Sequence, residues 1–206
     1  MVLRAILKDL TGGDDALAEA AVQSLARLPE RDQLAASPQL QQQLASPDVD
    51  RRWWATRAIA ELSLPQALDW LAGSLADSDP SVRQCAALGV RTHLLRLPPG
   101  DSHASISEPL LDALLHGLKD PDPLAARLVA HALAAIGAPA VLPLLELFDE
   151  PDHMLRLLVV RTLAEIADPR AIPALVAALD ADSLMMEYWA TEGLEKMGVG
   201  MAYFFP

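Results

Sequence analysis

Apolar residues recur along this chain at helical spacing, in blocks that themselves repeat. With Arg52, Arg83, Ala126, Arg156 and Glu187 as a reference column, the steps between blocks are 31, 43, 30 and 31 residues. Leu40, Leu71, Leu114, Leu144 and Leu175 stand twelve positions before the reference. Leu44, Leu75, Leu118, Phe148 and Leu179 stand eight before it. A gap of four places each pair on one face of a helix. A second stripe follows. Ala55, Ala86, Val129, Val159 and Ala190 lie three after the reference, and Ile59, Val90, Leu133, Leu163 and Leu194 seven after. Leu62, His93, Ile136, Ile166 and Met197 lie ten after. These spacings make the apolar face of a second helix, and its small residues let two helices approach closely.

Punctuation supports the same division. Pro65, Pro109, Pro139 and Pro169 fall at the starts of the first helices, where a missing N–H costs little. Asp48, Asp79, Asp122 and Asp152 stand four before the reference and are expected to N-cap the second helices. Gly137 and Gly198 fall where second helices should end. Each block is therefore a helical hairpin that cannot bury its apolar face alone, so stacking must supply the partner. Residues 14–25 read as one more second helix, with residues 2–10 as its mate, giving six hairpins. The expected units are 2–28, 31–63, 65–96, 107–137, 138–167 and 169–198. They form one repeat domain over 1–198 with a Pro/Gly/Ser-rich loop insertion at 97–107.

The pattern resembles HEAT repeats, in particular the short type named from phycobilisome lyase subunits. Asp79-Pro-Ser-Val-Arg83, Asp120-Pro-Asp-Pro123 and Ala164-Glu-Ile-Ala-Asp-Pro-Arg-Ala-Ile-Pro-Ala-Leu175 carry it. The resemblance implies an all-α, armadillo-like α-solenoid of about six HEAT-like hairpins wound as a right-handed superhelix. It also implies that the second helices line the concave side.

Composition narrows the function. Hydrophobic residues make up 52% of the 206 residues, rich in Ala and Leu, which favours helices. The formal net charge of −12 disfavours phosphate backbones, so no nucleic-acid partner is expected. No stretch of about 20 uncharged apolar residues marks a membrane span. The N-terminus lacks a cleavage signature, and the single cysteine, Cys85, fits a reducing, cytoplasmic setting. No nucleotide-binding loop, zincin motif or nucleophile elbow is present, so no catalytic residue, metal or cofactor is expected. The five histidines lie apart, and none is followed by the Glu that resembling di-iron hydroxylases require. Cys85, in an apolar column, reads as a buried structural thiol.

Function should then lie where the repeat is decorated. One and five residues after the reference, the second helices carry Trp53, Arg57, Arg127, His131, Arg161, Tyr188 and Glu192. Trp, Tyr and Arg dominate binding hot spots, and Arg57, Arg127 and Arg161 would suit an acidic segment. Within the Trp53–Trp54 pair, Trp54 shares a column with Trp189 and is assigned to packing, leaving Trp53 for the groove. Asp48 with Arg52, Asp79 with Arg83, and Asp152 with Arg156 are spaced as pairs along one helix. Tyr203, Phe204 and Phe205, in the apolar segment 199–206, are expected either to cap the last repeat or to dock on a partner.

These features favour a non-catalytic protein-interaction scaffold with a protein partner on the concave face. Two alternatives follow from the resemblance and from the tail. One is a bilin-lyase-like subunit handling a tetrapyrrole or its acceptor protein. The other is a structural subunit of a larger complex attached through residues 199–206.

Overall fold

Among the described residues, amphipathic segments fold into twelve α-helices and no strand occurs. In this computed structural model the described residues are 2–97, 106–181 and 183–199. The helices are α1 (Val2–Leu10), α2 (Asp15–Ala26), α3 (Glu30–Leu44), α4 (Val49–Glu61), α5 (Ala67–Ser74) and α6 (Pro80–Arg96). Then come α7 (Glu108–Gly117), α8 (Pro123–Ile136), α9 (Ala138–Glu146), α10 (His153–Ile166), α11 (Ile172–Leu179) and α12 (Leu184–Lys196). Most of the expected loop insertion, and Tyr203, Phe204 and Phe205, lie outside the described residues.

Helices pair in chain order, α1 on α2 through α11 on α12, and the pairs stack into an all-α solenoid. The even-numbered helices pack on one another along the whole array, whereas successive odd-numbered helices touch more sparsely. Close approach in the even layer depends on glycine. A Cβ on Gly89 of α6 would lie 2.7 Å from the Ala60 Cβ of α4, and one on Gly193 of α12 would lie 2.8 Å from the Ala164 Cα of α10.

The expected caps form. Asp48 accepts from the Asp50 and Arg51 N–H groups, Asp79 from Ser81, Asp122 from Ala125, and Asp152 from Met154 and Leu155. Gly137 and Gly198 take positive φ where α8 and α12 end. The first apolar column is fully buried: Leu40, Leu71, Leu114, Leu144 and Leu175 expose no surface. Buried Gln33 ties the N-terminal units together. Its amide donates to the Ala26 and Leu28 carbonyls at the end of α2 and accepts from the Ser63 N–H beyond α4.

The Asp/Arg ladder differs from the sequence expectation. Arg52 reaches Asp77 of the next unit (2.7 and 2.9 Å), and Arg83 reaches Asp120 (2.6 and 2.8 Å), each through two parallel bonds. Where the reference residue is Ala126, Lys119 bridges instead to Glu150 (2.9 Å). The acids Asp77, Asp120 and Glu150 all stand six before their own reference residue. Asp48 and Asp79 are occupied with capping N–H groups, so the arginines cross to the neighbouring unit.

Candidate partner-binding face

Helical spacing places the expected stripe on the even layer. Trp53 and Arg57 lie on α4, Arg127 and His131 on α8, Arg161 on α10, and Tyr188 and Glu192 on α12. Arg127 and Tyr188 are exposed, and the other five are half-buried. Arg161 brings His131 and, through Trp189, Tyr188 together, with Arg127 on the same cleft as Arg161 and Trp189. Trp53 and Arg57 form a separate group, and the structure does not bring Glu192 into either.

Around α4, Arg57 donates to Glu61 (2.6 Å) and to Glu19 of α2 (3.1 Å). Arg96 of α6 also pairs with Glu61. Burial works against the Glu61 carboxylate, yet hydrogen bonds from Arg57 and Arg96 hold it below its usual range. The Arg57 charge is therefore answered within the protein. Trp53 and Trp54 are both half-buried and stack edge to face with centroids 4.8 Å apart. Trp54 packs against the core, and both rings line a shallow cleft with Asp15, Asp50 and Ser81. Burial pushes the nearby Cys85 thiol up to about 12, partly opposed by Arg57, which leaves it a poor nucleophile.

Around α8 to α12, Arg161 is the hub. Its Nε donates to Glu165 (2.8 Å), and Nη2 donates to His131 Nε2 (2.7 Å). Arginine has no acceptor, so His131 accepts at Nε2 and, when neutral, carries its proton on Nδ1. The guanidinium also lies 4.8 Å over the Trp189 ring, a cation–π contact. Trp189 in turn meets Tyr188 edge-on at 5.1 Å. Burial holds the His131 imidazole below its ordinary value. Glu165 opposes this, and Arg161, Arg91 and Arg127 reinforce it.

Two clefts flank Arg161. One is lined by Arg91, Leu95, His131, Ala134 and Ala135 together with Glu165. The other, of about 390 Å³, is more apolar and is lined by Met154, Leu157, Leu158, Met185 and Trp189 together with Arg127. Arg91, Glu165 and the two methionines line these clefts although they lie outside the predicted stripe. Glu61 and Glu165, four residues after Arg57 and Arg161, were visible as helical pairs. Arg91 stands at the border of the stripe and gave no such signal. Among the described residues, no group of side chains could hold a metal ion, and no helix is long and apolar enough to cross a membrane.

Comparison with known proteins agrees with this architecture. The family model for HEAT repeats matches residues 2–91, and that for the PBS lyase HEAT-like repeat matches residues 155–181. No curated protein matches the sequence. Among solved structures, an engineered protein is 22% identical with TM-score 0.59, over 96% of this chain and 99% of its own. A designed armadillo repeat protein in complex with the peptide (KR)4 is 17% identical with TM-score 0.54, over 96% and 100%. The complex of CpcE and CpcF of phycocyanin lyase from Nostoc sp. PCC7120 supplies a chain 22% identical with TM-score 0.57, over 78% of this chain and 97% of that one. At these identities the likeness is one of fold. Repeat spacing, helix order and both family matches agree: the chain is a HEAT-like repeat protein.

Proposed function

We propose that this protein is a non-catalytic interaction scaffold that holds a protein partner on the exposed face of its even-numbered helices. The tighter spacing of the even layer supports placing it inside the bend of the solenoid. The carrying observation is the Arg161 hub. A guanidinium fixed by Glu165, His131 and Trp189, beside exposed Arg127 and Tyr188, is the arrangement of rigid aromatic and Arg anchors that binding hot spots use. Co-purification from the native source tests this. A Trp53→Ala/Arg127→Glu variant should lose the co-purifying protein, and Leu142→Ser, on the exposed side of α9, should retain it. Equal recovery by both contradicts the assignment.

The lyase-type repeat at 155–181 favours a second reading, a bilin-lyase-like subunit that works on a tetrapyrrole or its acceptor protein. Under this reading the purified protein shifts the absorption spectrum of added bilin. Under the scaffold reading the spectrum is unchanged.

A further inference from the structure

Resting on that reading of the even-numbered face, we propose that its α8–α12 part selects an extended acidic segment bearing a large apolar side chain beside its carboxylates. The charge pattern is the first support. The protein carries a net −12, yet three successive even helices bring Arg91, Arg127 and Arg161 to two adjoining clefts: Arg91 and Arg161 line one with His131 and Glu165, and Arg127 and Arg161 line the other. Glu165 is engaged by Arg161. Arg127 is exposed and Arg91 half-buried, so both can reach an incoming carboxylate.

The apolar surface is the second support. Met154 is 61% exposed, Met185 51% and Tyr188 51%, beside the Trp189-lined cleft. Two acids also line that cleft, and both are committed. Asp120 accepts from Arg83, and Asp152 caps α10. Flexible methionines adapt to varied apolar side chains. Arg161 borders both clefts and is held on three sides, so the charged and apolar parts sit against one fixed wall. A segment with alternating acidic and apolar residues in extended form presents one kind to each side. Sharing a fold with a designed armadillo protein that holds (KR)4 does not set the sign of the ligand; side chains do, and here lysines would meet Arg91 and Arg127 beside an Arg161 already paired with Glu165.

Fluorescence anisotropy with labelled octapeptides tests this on the full chain. Alternating Glu-Leu should bind, and alternating Glu-Gly and Lys-Leu should each bind about tenfold more weakly or worse. Arg127→Glu, at an exposed position, should weaken Glu-Leu binding about tenfold and flatten its salt dependence. Met185→Ser should lower Glu-Leu affinity toward that of Glu-Gly and leave the salt dependence intact. If Arg127→Glu melts early, Arg91→Gln replaces it. Absent Glu-Leu binding, equal Glu-Leu and Lys-Leu binding, or indifference to the Arg change overturns the proposal. If the peptide fails but the Trp53→Ala/Arg127→Glu variant still loses its natural partner, this inference falls and the face assignment stands.

Discussion

Arg83 and Asp120 join consecutive repeats through two parallel hydrogen bonds, Nε to Oδ2 at 2.6 Å and Nη2 to Oδ1 at 2.8 Å. The third nitrogen of Arg83 holds the Asp77 and Ser78 carbonyls of its own unit. One guanidinium thus fastens its own loop to the next. Lysine cannot reproduce that fork. Arg83→Lys and Asp120→Ala should each cost about 1.5–3 kcal/mol. The double variant should cost less than their sum, because the two residues share one interaction. Urea denaturation of all four proteins measures the coupling.

Gly193 lets α12 lie against α10. A Cβ there would sit 2.8 Å from both the Cα and the Cβ of Ala164, and 2.9 Å from Leu175 Cδ1. Backbone cannot step aside as a side-chain tip can, so overpacking outweighs the helix propensity gained. Gly193→Ala should destabilise by about 1–3 kcal/mol. Gly73, on the exposed side of α5, has nothing within 4 Å of the same position. Gly73→Ala should raise stability by up to about 1 kcal/mol. Thermal melts of the two variants should therefore move in opposite directions.

Ala167 ends α10 in the left-handed region, with φ 54° and ψ 41°. Gly137 and Gly198 stand at the corresponding position of their units, eleven after the reference, and take φ 76° and 77°. An alanine there strains against its own Cβ by about 1–2 kcal/mol. Glycine removes this strain and adds some unfolded-state entropy. Ala167→Gly should raise the denaturation midpoint, by roughly 0.5–1 kcal/mol in stability. A lower midpoint would contradict this account of the cap.

His93 is buried between units. Burial lowers its imidazole pKa, Arg96 adds to the effect, and a hydrogen bond with the Leu62 backbone opposes it. The unfolded chain therefore binds more protons than the folded one once pH falls through about 6.5, the ordinary histidine value. Stability should drop as pH is lowered through that value and level off below the folded pKa. His131 shifts in the same direction. Melting curves between about pH 7 and pH 5 should fall less steeply for His93→Gln than for the wild type.

Much of the fold was legible because it is written in single-helix spacings. The columns at Leu40 through Leu175 and Ile59 through Leu194 needed only periodicity, and the Asp caps only their offset. What crosses between units was not legible in that way. Arg52 and Arg83 find partners on neighbouring loops, a choice set by how hairpins stack and by Asp48 and Asp79 being occupied as caps. The face was partly visible. Arg127, His131, Arg161 and Tyr188 shared a stripe, while Arg91 and Met185 joined it only through the stacking of separate helices.

Hydroxyl-radical footprinting of the protein with its co-purified partner tests the face assignment most directly. Met154, Met185 and Tyr188 are exposed, reactive reporters on α10 and α12, and Leu142 reports on α9. Binding on the even-numbered face protects the first three and leaves Leu142 oxidised as in the protein alone. Protection of Leu142 with unchanged oxidation at Met154, Met185 and Tyr188 would place the partner on the opposite side and contradict the account.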